Sequence, residues 1–160
     1  MWFDRLTTSG FRRRLKATSN AVSGNKEVDR VAQRRTVIRV PGLTHRTPIS
    51  LGAKVGNIVH SAPIYGTDVE RHLLPDDPAE QAVQMFKNIG RFMEAAGGTI
   101  DDIVHIQLFL KDFKHRDAVD VEWVKMFPDE NNRPSRHAVS EPEIRGGGAL
   151  FGVEILAVVD

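Results

Sequence analysis

The stretch that opens at Asp77-Pro78 leaves the chain the least choice. An aspartate side chain accepts from the first unpaired N–H groups of a helix, and proline suits the first helical position. Ala82, Met85, Phe86, Ile89, Phe92, Met93 and Ala96 then recur at three- and four-residue intervals, the spacing of one apolar stripe on a helix. Gly97-Gly98 follows as a stop signal. Such a stripe must be buried against a second layer, and the remaining sequence has to supply it.

It reads mostly as strands. Thr36 to Val40 is a short β-rich run ended by Pro41-Gly42, and Ala53 to Ser61 reads as a second strand. Pro63 to Asp77 is polar and loop-like. Ile103 to Leu110 alternates, with Ile103, His105, Gln107 and Phe109 on one face and Val104, Ile106, Leu108 and Leu110 on the other. Asp112 begins a second helix with Val119, Trp123, Met126 and Phe127 as its apolar positions, stopped by Pro128. Strands follow at Ser135–Ser140 and Leu150–Val159. This order predicts an α+β fold, a mixed sheet with two helices packed on one face. No internal repeat or low-complexity tract interrupts it.

Charge divides the chain in two. Residues 1–36 carry nine Lys or Arg against three acids, a net +6, whereas the remainder carries thirteen against eighteen, a net −5. We therefore divide the chain into a basic N-terminal arm, 1–35, and a domain, 36–160. Trp2, Phe3, Leu6, Phe11 and Leu15 give the arm weak helical spacing. Three readings of it stay open: packing onto a neighbouring subunit, a targeting peptide, and a patch for an anionic surface or nucleic acid. Without cysteine there is no disulfide, no thiolate nucleophile and no cysteine metal site. No run approaches the roughly 18 apolar residues of a membrane span, and no secretory signal core is present, so a cytoplasmic protein without membrane partners is expected.

Chemistry concentrates near the end. In Asn131–Val139, Pro134 favours extended backbone, so Arg136 and Ala138 point one way and His137 and Val139 the other. Eighteen residues after Arg136, Glu154 interrupts an apolar strand. A guanidinium grips a carboxylate bidentately and a glutamate handles a proton or a water; each residue could equally serve a surface ion pair. The six histidines show no metal-ligand spacing, and no phosphate-binding loop or dinucleotide fingerprint is visible. His60 and His137 lie in stretches that could line a cleft, with a plain surface or interface role as the alternative.

Six stretches, in order, resemble the RidA/YjgF family of small trimeric imine and enamine deaminases: Lys54–Ser61, Gln81 opening the long helix, Glu94–Val104, Leu110–Phe113, Arg133–Arg136 and Val153–Ala157. The resemblance spans about Thr36 to Asp160, roughly three quarters of the chain. The resemblance implies a chorismate-mutase-like fold and a homotrimer. It implies that Arg136 holds the carboxylate of a 2-imino or 2-amino-unsaturated acid and that Glu154 positions the hydrolytic water. Ammonia would be released without metal or cofactor. Ser61, Ala62, Ile49, Ala138 and His137 would line the substrate pocket. Three positions depart from the family pattern. Ile49 stands for a tyrosine, Ala138 for a cysteine, and Ser61-Ala62 for Ser-Gly. The segment between Arg136 and Glu154 is also longer, and it contains Gly146-Gly147-Gly148. An altered pocket is compatible with an aminomuconate-type substrate. The alternative is a non-catalytic trimeric module that binds a small carboxylate metabolite; nucleic acid is the least favoured partner.

Overall fold

Helix α1 (Pro78–Ala95) begins as its sequence dictates. The Asp77 carboxylate accepts from the Glu80 N–H at 2.8 Å, and Gly97, at φ +82°, lies just beyond the end. All seven residues of the apolar stripe are buried. The structure, a computed structural model, describes residues 34–145 and 147–160; the expectations for most of the N-terminal arm fall outside them.

The second layer is one mixed sheet. Its strands are β1 (Thr36–Ile38), β2 (Gly52–Val55), β3 (Ile58–Ser61), β4 (Ile64–Tyr65), β5 (Ile103–Leu110), β6 (Ser135–Ser140) and β7 (Phe151–Val158). The order is β1-β2-β3-β7-β5-β6, with β4 also paired to β7. Only β5 and β6 run parallel, and a parallel pair needs a crossover. Helix α2 (Arg116–Met126) lies in that connection, after a one-turn 3-10 segment capped by Asp112. Phe151, Val153, Ile155 and Ala157 of β7 and Ile106, Leu108 and Leu110 of β5 join the α1 stripe, Val119 and Trp123 in one core. The expected α+β architecture is the observed one.

Three local expectations differ. The single strand read over Ala53–Ser61 is a hairpin. Val55 pairs with Ile58 across a two-residue turn, and Gly56 sits at φ +61°, as a II′ hairpin turn requires of its first central residue. The loop-like stretch after Pro63 contains the short strand β4. Finally, Ile103 is buried and Val104 exposed, the reverse of strict alternation. The β5–β7 register shifts between Ile103 and His105, and such an irregularity re-aims side chains.

Two polar residues interrupt the buried face of α1 seven positions apart. Gln81 Nε2 donates to Pro75 O at 2.6 Å and Gly148 O at 3.2 Å, and its Oε1 accepts from Leu150 N at 3.0 Å. Asn88 Nδ2 donates to Tyr65 O at 2.9 Å and Thr67 O at 2.8 Å, while Oδ1 accepts from Arg91 at 2.8 Å. Both amides therefore serve mainly irregular backbone, Gln81 at Pro75, Gly148 and Leu150 and Asn88 at Thr67, with Asn88 also reaching the end of β4 at Tyr65. Gly66 makes the approach feasible: a Cβ there would lie 2.2 Å from Gln81 O.

Removing one of these amides strands buried carbonyls, each costing about 1–3 kcal/mol. Asn88→Ala is expected to destabilise the fold by about 2 kcal/mol or more in denaturant unfolding. A change below about 0.5 kcal/mol would show that the β4 loop does not depend on it.

Candidate functional site

The sheet has two faces, and register assigns each candidate residue to one. Arg136 is level with Ile106, a core residue. Glu154 is level with Gln107, the next residue along the same strand. Neighbours on a strand point to opposite faces, so Arg136 points to the helix layer and Glu154 to the face away from it. One chain alone does not bring the two together.

Arg136 is engaged with α2. Its Nη2 lies 2.7 Å from Asp120 Oδ1, and its guanidinium carbon stands 4.6 Å from the centre of the Trp123 ring. The charge contact is short but poorly angled, leaving Asp120 Oδ1 and Arg136 Nη1 buried without a hydrogen bond. A guanidinium placed over an aromatic ring, with one donor left unpaired, has capacity to receive an anion. Ala138 follows on the same face, packed against the core. His137 is exposed on the other face, where its backbone carbonyl accepts from Gln107 Nε2 at 3.2 Å.

Glu154 is half-buried in a cleft of about 240 Å³ that it shares with Pro63, Tyr65, Phe109, Glu141 and Arg145. Strand β4 places Tyr65 opposite Gly152. A Cβ at position 152 would lie 2.7 Å from the Tyr65 ring, so the glycine lets the phenol lie against β7. Burial, and then the charges of Glu154 and Glu141, push the Tyr65 hydroxyl above its usual range. It therefore stays protonated and remains a hydrogen-bond donor beside two carboxylates. Phe109 forms an apolar wall.

The other expected pocket residues divide. Ile49 lines an adjoining cleft with Tyr65 and Arg145. Ser61 is buried, and its Oγ accepts from Ile155 N at 2.8 Å, bridging the gap where β3 and β4 part along β7. Ala62 donates its N–H to Leu51 O at 2.7 Å and leads into Pro63. Tyr65, Glu141, Glu143 and Arg145 were not expected here. Phe109 had a visible signal, an aromatic on the more polar face of its strand. Tyr65 had only its uniqueness, as the sequence's single tyrosine. Among the described residues, no group of three or more His, Asp or Glu could hold a metal ion.

A mixed sheet covered on one face by two helices, with a glutamate-bearing cleft on the other, defines a class of small α+β proteins. The endoribonuclease L-PSP family model matches residues 43–159, and the chain belongs to this family, the RidA/YjgF family. A RutC family protein of Haemophilus influenzae is 32% identical over 120 residues, covering 72% of this chain and 92% of the relative. The crystal structure of RidA from an Antarctic Psychrobacter superposes with a TM-score of 0.70 at 26% identity, over 78% of this chain and 99% of that one. The E. coli YjgF gene product gives 0.69 at 25%, over 77% and 98%.

Because Tyr65 is the only tyrosine, phenolate absorbance in an alkaline titration reports it alone. Its midpoint is expected above the usual value of about 10. Glu154→Gln removes a negative charge and should move the midpoint down; an unmoved midpoint would mean that Glu154 does not act on the phenol.

Proposed function

We propose that this chain is a hydrolytic deaminase of imine or enamine carboxylates, releasing ammonia. The observation that carries the reading is Glu154 in a partly apolar cleft beside a phenol that stays protonated. A carboxylate so placed can orient a water and take its proton as the oxygen attacks the imine carbon. The C=N double bond becomes a single bond, and the nitrogen gains a proton. The resulting carbinolamine then loses its hydroxyl proton as the C–N bond breaks, giving a 2-oxo acid and ammonia. Tyr65 can donate to the oxygen during both steps. An imine is already electrophilic, so these proton movements suffice.

In this reading Arg136 holds the substrate carboxylate through Nη1, which has no hydrogen-bond partner among the described residues. It faces away from Glu154 within one chain, so the complete site requires a second subunit, and we propose a homotrimer with shared clefts. Exposed Ile58 and Val158, cross-strand neighbours on the open face, supply apolar surface for that contact. An RNA substrate is disfavoured because Glu141, Glu143 and Glu154 line the cleft and repel a phosphodiester backbone.

One observation favours a second reading, a trimeric carboxylate-binding module without turnover: Arg136 is already paired with Asp120. Ammonia release from imino acids generated in situ separates the two. Wild type should accelerate it, Glu154→Gln should lose roughly 10²–10⁴-fold, and Arg136→Ala should raise KM. Light scattering should give the mass of a trimer. A folded trimer that accelerates no imine would replace the deaminase by the binding module.

A further inference from the structure

The Glu154 cleft does not end at Tyr65. Pro63, Tyr65 and Arg145 also line an adjoining cleft of about 540 Å³, whose other walls include His45, Arg46, Thr47 and Ile49. Its polarity differs. The first cleft carries three glutamates, and the second carries two guanidiniums and, from Thr44, Thr47 and Thr67, short hydroxyl side chains. Among the described residues neither Arg46 nor Arg145 has a carboxylate within 4.0 Å. His45 adds a buried ring nitrogen, Nε2, without a hydrogen-bond partner.

Two arginines from separate loops line this one cleft, neither of them in a salt bridge among the described residues, and together form an anion site. We propose that Arg145 and Arg46 bind a second carboxylate at the far end of the substrate, making the preferred substrate a dicarboxylate imine. The inference rests on the deaminase reading for the reaction but not for the site itself. Arg145 stands at the junction of the two clefts. The electrophilic carbon of the imine would lie toward the glutamates, and the distal anion toward the arginines. A carboxylate fits better than a phosphate, because a dianion would be repelled by Glu141 and Glu143 on the adjoining wall. The loop that carries Arg145 is held at its far end, where Gln81 binds Gly148 O and Leu150 N. The cation is thereby presented at the cleft although its loop is rich in glycine.

Two measurements on the full-length protein test this. The first compares kcat/KM for the imines derived from glutamate and from glutamine, which differ in the distal charge. Wild type should prefer the acidic imine, and Arg145→Gln or Arg46→Gln should reduce that preference roughly 10- to 100-fold, the factor of one charge-assisted hydrogen bond. The second is calorimetric titration with glutarate, which needs no turnover. Wild type should bind it, and the double variant should bind at least about tenfold more weakly. Glutarate binding that depends on both arginines, with neither imine turned over, would sink the deaminase reading and leave the site standing. Turnover without charge preference, or glutarate binding unaffected by the double substitution, overturns the site.

Discussion

Two buried amides on one helix hold the functional parts of this molecule in place. A helix face that packs only on a sheet can be wholly apolar, because ladder hydrogen bonds already satisfy the strands. Helix α1 packs on more than a sheet. At its start it meets the loop between β6 and β7, and two turns later it meets the end of β4 and the loop that follows, where ladder pairing gives way to irregular backbone. Apolar side chains at 81 and 88 would leave several carbonyls and an N–H buried and unpaired. Gln81 and Asn88 turn that liability into two anchors. One anchored segment carries Tyr65; the other leads back to Arg145. The helix that completes the core therefore also sets the walls of the cleft.

The two faces of the sheet do different work. Toward the helices, side chains are apolar and fully packed, and Arg136 is accommodated there only because Trp123 and Asp120 receive its guanidinium. Away from them, the row from His60 through Leu156 to His105 and Ser135 remains open. His105 Nδ1 lies 2.8 Å from Ser135 Oγ, which in turn donates to Val104 O. The half-buried Glu154 is level with Gln107 on this side. Charge is thus concentrated at the edges of a greasy layer rather than buried within it, where an unpaired ion would be costly.

Much of this was legible in the residues. The α1 stripe, the period-two pattern of β5 and the Pro stop after Phe127 each have one reading, because burial leaves a periodic trace. What escaped was set by register and by single backbone conformations. The Gly56 turn splits one apparent strand into two, and the shift at Ile103 exchanges the faces of two residues. Spacing alone makes Arg136 and Glu154 natural partners. Whether they share a face depends on the pairing of two other strands with β5, and a slip of one residue would reverse the answer. Tyr65 was hidden for a similar reason: a two-residue strand has no periodicity to detect. Residues 43–159 carry the family match, while the segment that most distinguishes the cleft, Glu141 to Gly147, follows no periodic rule.

That segment is tied down at its two ends. Gln81 grips the chain at Gly148 and Leu150, and Glu141 N donates to Leu110 O at 2.7 Å just after β6. Between these points the backbone contributes little to the core, so residues can be inserted, lost or exchanged there with small thermodynamic consequence. The scaffold thus separates what must be kept from what can vary. A lineage could lengthen this one loop and change the size and charge of the molecules it accepts, while the sheet, the helices and the glutamate on β7 stay as they are.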